Sequence, residues 1–266
     1  MADAVVRGVR LHYQRLGEPS GAPRIVFVHG LVMDNLASWY FTVASATAAF
    51  ADVLLYDLRG HGLSERTPGG YGVGEMVLDL SALLDATLGD APVVIVGNSF
   101  GALLGVHFAR RFPTRTRGLV LVDGHLGDDG FGAQMAGTLS LEGEEAERAI
   151  AASFKHWLGR HSERKRNRLA AHARELVKGT SLVSDLRATP PLEASDFERI
   201  TVPTLALYGE NSDLIAKSLP LVRRMPNARI EVLPGCTHSI IWEATNDVRD
   251  RITAFCRELA GSKEPG

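Results

Sequence analysis

Short apolar runs that stop at a polar residue or glycine recur along this chain, and they constrain its fold more than any other feature. Ile25-Val26-Phe27-Val28 stops at His29-Gly30, Val53-Leu54-Leu55-Tyr56 at Asp57, and Val93-Val94-Ile95-Val96 at Gly97. Leu119-Val120-Leu121-Val122 stops at Asp123, Thr204-Leu205-Ala206-Leu207-Tyr208 at Gly209, and Arg229-Ile230-Glu231-Val232-Leu233 at Pro234-Gly235. A continuous apolar run of this length reads as a strand covered on both faces. Helical stretches lie between the runs: Gly74 to Leu88, Ala102 to Phe112 closed by Pro113, and Thr245 to Leu259. Strands alternating with helices predict an α/β protein with a mostly parallel sheet flanked by helices. Near the start, Val9, Leu11 and Tyr13 alternate with Arg10, His12 and Gln14, the mark of a half-buried edge strand.

The alternation lapses from about His125 to Arg199. Glu142 to Leu158 and Ser162 to Val177 read as amphipathic helices, and Thr189-Pro190-Pro191 punctuates the chain before the next strand. The expected organisation is a core of residues 1–124 and 200–266 with an all-helical cap, 125–199, inserted as a lid over the strand ends.

Composition narrows the function classes. The 266 residues are 45% hydrophobic and 23% charged, with a formal net charge of -2, so a packed core is available and a basic field for nucleic acid is not. The two cysteines, Cys236 and Cys256, show neither a disulfide framework nor metal-ligand spacing. No apolar run has the length of a signal-peptide core or a membrane span. The expectation is a soluble, cytoplasmic protein with no nucleic-acid or membrane partner.

In a parallel sheet, ligands gather at the carboxyl ends of the strands. Gly97-Asn98-Ser99-Phe100-Gly101 sits at such an end, between an apolar run and a helix. Glycines two residues either side of a serine permit the sharp strand-to-helix turn that presents its hydroxyl, and the helix N-terminus faces any negative charge formed there. A serine hydroxyl needs a base to accept its proton. His238, in the loop after the last strand, is the candidate. His12, His107, His156, His161 and His172 fall on the outer strand, a helix or the insertion. His61 and His125 are reserves near strand ends, and His29 is read as bracing its own loop.

The base in turn needs a carboxylate to fix its tautomer. Asp213, in Gly209-Glu210-Asn211-Ser212-Asp213, is the first choice because it completes the order Ser, Asp, His along the chain; Asp123 is the runner-up and Glu210 the third. Oxyanion donors are expected from the amides of Phe100 and Leu31.

These motifs together resemble the α/β-hydrolase family over nearly the whole chain. The resemblance rests on His29-Gly30, on Asp57-Leu58-Arg59-Gly60-His61-Gly62-Leu63-Ser64 and on Gly97-Asn98-Ser99-Phe100-Gly101, with Asp213 and His238 at the acid and base positions and 125–199 as the cap. It implies a serine hydrolase that uses neither cofactor nor metal. Ser99 departs from the aspartate nucleophile of dehalogenase-like and epoxide-hydrolase-like members, and Gly30-Leu31-Val32-Met33-Asp34 departs from the loop of proline-iminopeptidase-like members.

What remains is cleavage of a carboxylic ester or thioester with a small, largely apolar acyl group. Leu31, Val32, Met33, Phe100 and Trp157 are the candidate substrate contacts, with Trp39, Phe131, Met135 and Phe154 as further apolar lining. The alternatives are a carbon–carbon bond hydrolase of a vinylogous diketone and a non-catalytic small-ligand receptor. Arg160, Arg164, Lys165, Arg166, Arg168, Arg174 and Lys178 outnumber Glu163 and Glu175 in the insertion, which raises an acyl carrier as a possible partner.

Overall fold

A computed structural model of the chain describes residues 2–17, 22–126 and 163–261, with side chains excluded at 163–170. Eight strands form one sheet: β1 Ala2–Val6, β2 Val9–Leu16, β3 Arg24–Val28, β4 Asp52–Tyr56, β5 Val93–Asn98, β6 Thr116–Val122, β7 Thr204–Gly209 and β8 Ala228–Leu233. Their order is β1-β2-β4-β3-β5-β6-β7-β8. All pairings from β4 to β8 are parallel, and β2 joins β1 and β4 antiparallel.

The apolar runs behave as their pattern requires. Along β3, Val26 and Val28 enter one core cluster and Ile25 and Phe27 the other. Side chains two apart share a face, so an uninterrupted run supplies both faces at once. The helices Val73–Thr87 and Phe100–Arg111 cover the first face. The second is covered by the helical stretch 37–48, with a π-helical turn at Tyr40–Ala44, and by the helix Thr245–Gly261. Cys256 is fully buried there, and burial pushes its thiol up to about 12.

Two expectations change. The strand at Val9 is not an edge: Arg7 and Gly8, both at positive φ, turn the chain so that β1 covers it. The helix Ile215–Val222, which carries Pro220, also escapes the sequence pattern. Between β6 and β7 the described residues contain no strand, only the helices Glu163–Gly179, Leu182–Arg187 and Ala194–Glu198. Leu176, Leu182, Leu186 and Phe197 are buried and belong to the first core cluster. The expected helix Glu142 to Leu158 lies outside the described residues. No helix among those described is long and apolar enough to cross a membrane.

Candidate active site

Ser99 sits between β5 and the helix that starts at Phe100, with φ 53° and ψ −113°. Positive φ at a non-glycine residue is a strained conformation that the surroundings must impose. The flanking glycines explain how it fits. A Cβ on Gly97 would strike the Gly101 carbonyl, and one on Gly101 would strike the Val28 carbonyl at the end of β3. Strand and helix thus meet closely enough to force the turn outward at the serine.

His238 lies in the loop after β8. Thr237 anchors that loop by giving its amide and hydroxyl to the Glu243 carboxylate at 2.6 and 2.7 Å. Gly209 lets it pass, since a Cβ there would meet the Cys236 and Thr237 carbonyls. The imidazole Nε2 stands 3.1 Å from Ser99 Oγ, and Nδ1 stands 2.5 Å from Asp123 Oδ2. Asp123 follows β6 in a positive-φ conformation and is completely buried. It also accepts the Gly209 amide at 2.9 Å and the Ser212 hydroxyl at 2.6 Å.

The structure places Ser99 and His238 together, and it is Asp123, the runner-up among the expected carboxylates, that lies on the ring where Asp213 was expected. Asp213 is exposed on its turn and acts on His238 only by charge through space; Asp123 holds the ring. Glu210 is committed to the Gly235 amide at 2.8 Å. The reason is sheet register. Asn98 and Val122 are partners across β5 and β6, so Asp123 emerges beside Ser99, whereas β7 lies one strand further away. Burial pulls the His238 pKa down. The hydrogen bond and charge of Asp123, aided by Asp213 and Asp34, outweigh that, and the net shift is upward.

A cleft opens over this constellation, and Leu31, Met33, Asp34, Ile241 and Trp242 line it together with Ser99 and His238. Leu31 and Met33 thus stand where substrate contacts were expected, and Ile241 and Trp242 join them. The helix after His238 supplies that second pair, an apolar Ile-Ile-Trp run whose role sequence pattern did not separate from core packing. Val32 is not among the lining residues; its amide donates to His61 Nε2 at 2.7 Å. The Phe100 side chain is buried, leaving its backbone amide in the first turn of the helix as its feature of interest. Trp39 is buried beneath, its indole donating to the Val28 carbonyl at 3.1 Å. Trp157, Phe131, Met135 and Phe154 lie outside the described residues, as does Arg160. Of the basic residues whose side chains are described, Arg174 and Lys178 are exposed.

Comparison with known proteins identifies the family. The chain is 27% identical to the cis-3-alkyl-4-alkyloxetan-2-one decarboxylase of Shewanella oneidensis, over 94% of this chain and 86% of that protein. The solved enol-lactonase of Burkholderia xenovorans LB400 superposes with a TM-score of 0.74 at 26% identity, covering 96% of this chain and 100% of that one. Est816, described as an N-acyl homoserine lactone degrading enzyme, does so with a TM-score of 0.75 at 26% identity and the same coverage. The model of the alpha/beta hydrolase family matches residues 25–251, which include both ends of the Ser99–His238–Asp123 chain. The protein is a hydrolase of the alpha/beta hydrolase family.

Proposed function

We propose that this protein hydrolyses a carboxylic ester, open-chain or cyclic, or a thioester, with an uncharged and largely apolar acyl group. The observation that carries the reading is the hydrogen-bonded chain Ser99 Oγ, His238 Nε2, His238 Nδ1, Asp123 Oδ2 at the mouth of a cleft. Ser99 Oγ adds to the acyl carbon as His238 Nε2 takes its proton, and Asp123 stabilises the imidazolium. The oxyanion is held by the amides of Leu31 and Phe100, the latter backed by the positive end of its helix. As the acyl–oxygen or acyl–sulfur bond breaks, His238 returns the proton to the leaving group. Water, deprotonated by the same histidine, then releases the acid and restores the serine.

Two features favour uncharged substrates. The described lining of the cleft contains one carboxylate, Asp34, and neither lysine nor arginine. Leu31, Met33, Ile241 and Trp242 supply its apolar walls. The extension to cyclic esters takes support from the names of the two solved neighbours, which are lactone-directed.

The test is turnover of p-nitrophenyl acetate through octanoate, of aliphatic lactones and of acyl thioesters, by wild type and Ser99→Ala. A loss on the order of a thousandfold or more in the variant is expected, with an acyl adduct on Ser99 by intact mass. Equal rates would reject the reading and leave a ligand receptor. Cleavage of a vinylogous 1,5-diketone alone would replace it with carbon–carbon hydrolysis.

A further inference from the structure

We infer that His61 is a positioning residue for the oxyanion-binding amide of Leu31, because its imidazole holds Val32 at the apex of a strained γ-turn. The inference rests on the serine-hydrolase reading above.

The turn is defined by the Met33 amide donating to the Leu31 carbonyl at 2.9 Å, with Val32 between them at φ 69°. A three-residue turn with positive φ at its centre is rare and strained. A β-branched residue there is a genuine outlier, and valine needs an external restraint to stay. That restraint is the Val32 N–H, which donates to His61 Nε2 at 2.7 Å.

His61 is built for the task. It lies between Gly60 and Gly62, both at positive φ, and a Cβ on Gly62 would collide with the Asp57 carboxylate. Its Nδ1–H donates to the Arg59 carbonyl at 2.8 Å, which leaves Nε2 as the acceptor. Burial, with His29 nearby, pushes its pKa down to about 3, so the ring stays neutral and keeps that lone pair. Arg59 is itself anchored by Nε and Nη2 on Asp79, each at 2.9 Å.

The opposite loop answers in kind. His29 Nε2 accepts the Leu58 amide at 3.0 Å, and its Nδ1–H donates to the Gly30 carbonyl at 2.6 Å. The two rings lie 5.3 Å apart, each gripping the other's loop. These bonds account for the polar groups around Leu31. The Gly30 amide goes to Asp34 at 2.8 Å, the Gly30 carbonyl to His29, the Leu31 carbonyl to Met33 and the Val32 amide to His61. In a trans peptide the N–H points opposite to the C=O. Fixing the Gly30 carbonyl on His29 therefore turns the Leu31 N–H away from it, and among the described residues that amide has no acceptor.

The experiment compares wild type with His61→Leu, His61→Gln, His61→Asn and His61→Leu/Val32→Gly. It measures kcat and KM for p-nitrophenyl butyrate, thermal midpoints, and the rate at which a fluorophosphonate labels Ser99. His61→Leu is expected to lose about a hundredfold in kcat and in labelling rate, the scale of a lost oxyanion donor, with KM within about threefold. Adding Val32→Gly should recover roughly tenfold or more, since glycine adopts this φ without strain. Should the leucine variant not fold, the amide pair decides: glutamine reaches the Val32 amide and retains kcat within about tenfold, while asparagine falls short. Unchanged kcat in a folded His61→Leu, no recovery on adding Val32→Gly, or equal loss in glutamine and asparagine variants would overturn the inference. Absence of labelling in wild type would instead reject Ser99 as the nucleophile.

Discussion

Nδ1 of His238 donates to Oδ2 of Asp123 across 2.5 Å, and the same oxygen accepts the Ser212 hydroxyl at 2.6 Å. With the Gly209 amide on Oδ1, three donors replace the water that burial has removed from this carboxylate. Ser212 and Gly209 belong to the end of β7 and the loop after it, so the segment that carries Asp213 donates to the buried Asp123 carboxylate.

This arrangement separates the two aspartates by experiment. Asp123→Asn removes the charge and misfits an amide into an acceptor-only site. A fall in kcat on the order of 10³ to 10⁴ is expected. Asp213→Asn removes only a charge acting through space and should leave kcat within about threefold. Steady-state ester hydrolysis checks both, and the reverse ranking would return the acid to Asp213.

The pH dependence follows from opposed shifts. His238 must be neutral to take the serine proton, and its pKa is raised above the ordinary 6.5. Activity should therefore rise with pH through a midpoint above that value. Asp123→Asn should move the midpoint of the residual activity down, since burial then meets less opposition. For stability the signs differ. The raised His238 contributes fully below pH 6.5 and loses its contribution as pH climbs through the folded value. His61, lowered to about 3, and His107, lowered to about 4 by burial and Arg110, contribute fully above 6.5. Their contributions are lost as pH falls from 6.5 toward those values, each adding at most about 1.4 kcal/mol per pH unit of slope. Urea midpoints measured from pH 8 to pH 4 should decline on the acid side; a flat acid limb would contradict the burial of these rings.

The buried strands were legible because each run carries both core faces in its own residues, and Ser99 because its glycines answer to a steric need local to one turn. His238 followed from the loop it occupies. Asp123 was harder to rank because its advantage lies in register: nothing local to Leu119–Asp123 reveals that Val122 pairs with Asn98. β1 was invisible for another reason. Ala2, Asp3, Ala4 and Val5 are half-buried or exposed, so that strand offers almost no apolar pattern. The helix Ile215–Val222 was masked by Pro220, which sequence rules treat as a breaker.

The strain at Ser99 predicts a trade of activity for stability. Glycine reaches φ 53° without steric cost, so Ser99→Gly should abolish hydrolysis yet raise folding stability by about 1 kcal/mol, the low end of such strain. Ser99→Ala keeps the Cβ and should be inactive without that gain. Thermal midpoints of the two inactive variants make the comparison free of catalysis. A glycine variant no more stable than the alanine one would mean that the turn is not strained in solution.

Asp34 should set a charge preference among substrates. Its carboxylate lines the cleft beside Leu31 and is held by the Gly30 amide at 2.8 Å, the Asn35 amide at 2.9 Å and the Ser38 hydroxyl. Those donors fix its place without cancelling its charge, which reaches His238. An acyl chain ending in a carboxylate should then bring like charges into one partly desolvated space. Taking the adipate half-ester and the hexanoate ester of the same alcohol, kcat/KM for the anionic chain is expected to be roughly five- to tenfold lower at low salt. At 1 M salt the Debye length shrinks to about 3 Å, and the gap should close to within about twofold. A gap independent of salt would assign the discrimination to chain shape or desolvation, and equal rates at low salt would remove Asp34 from the account of specificity.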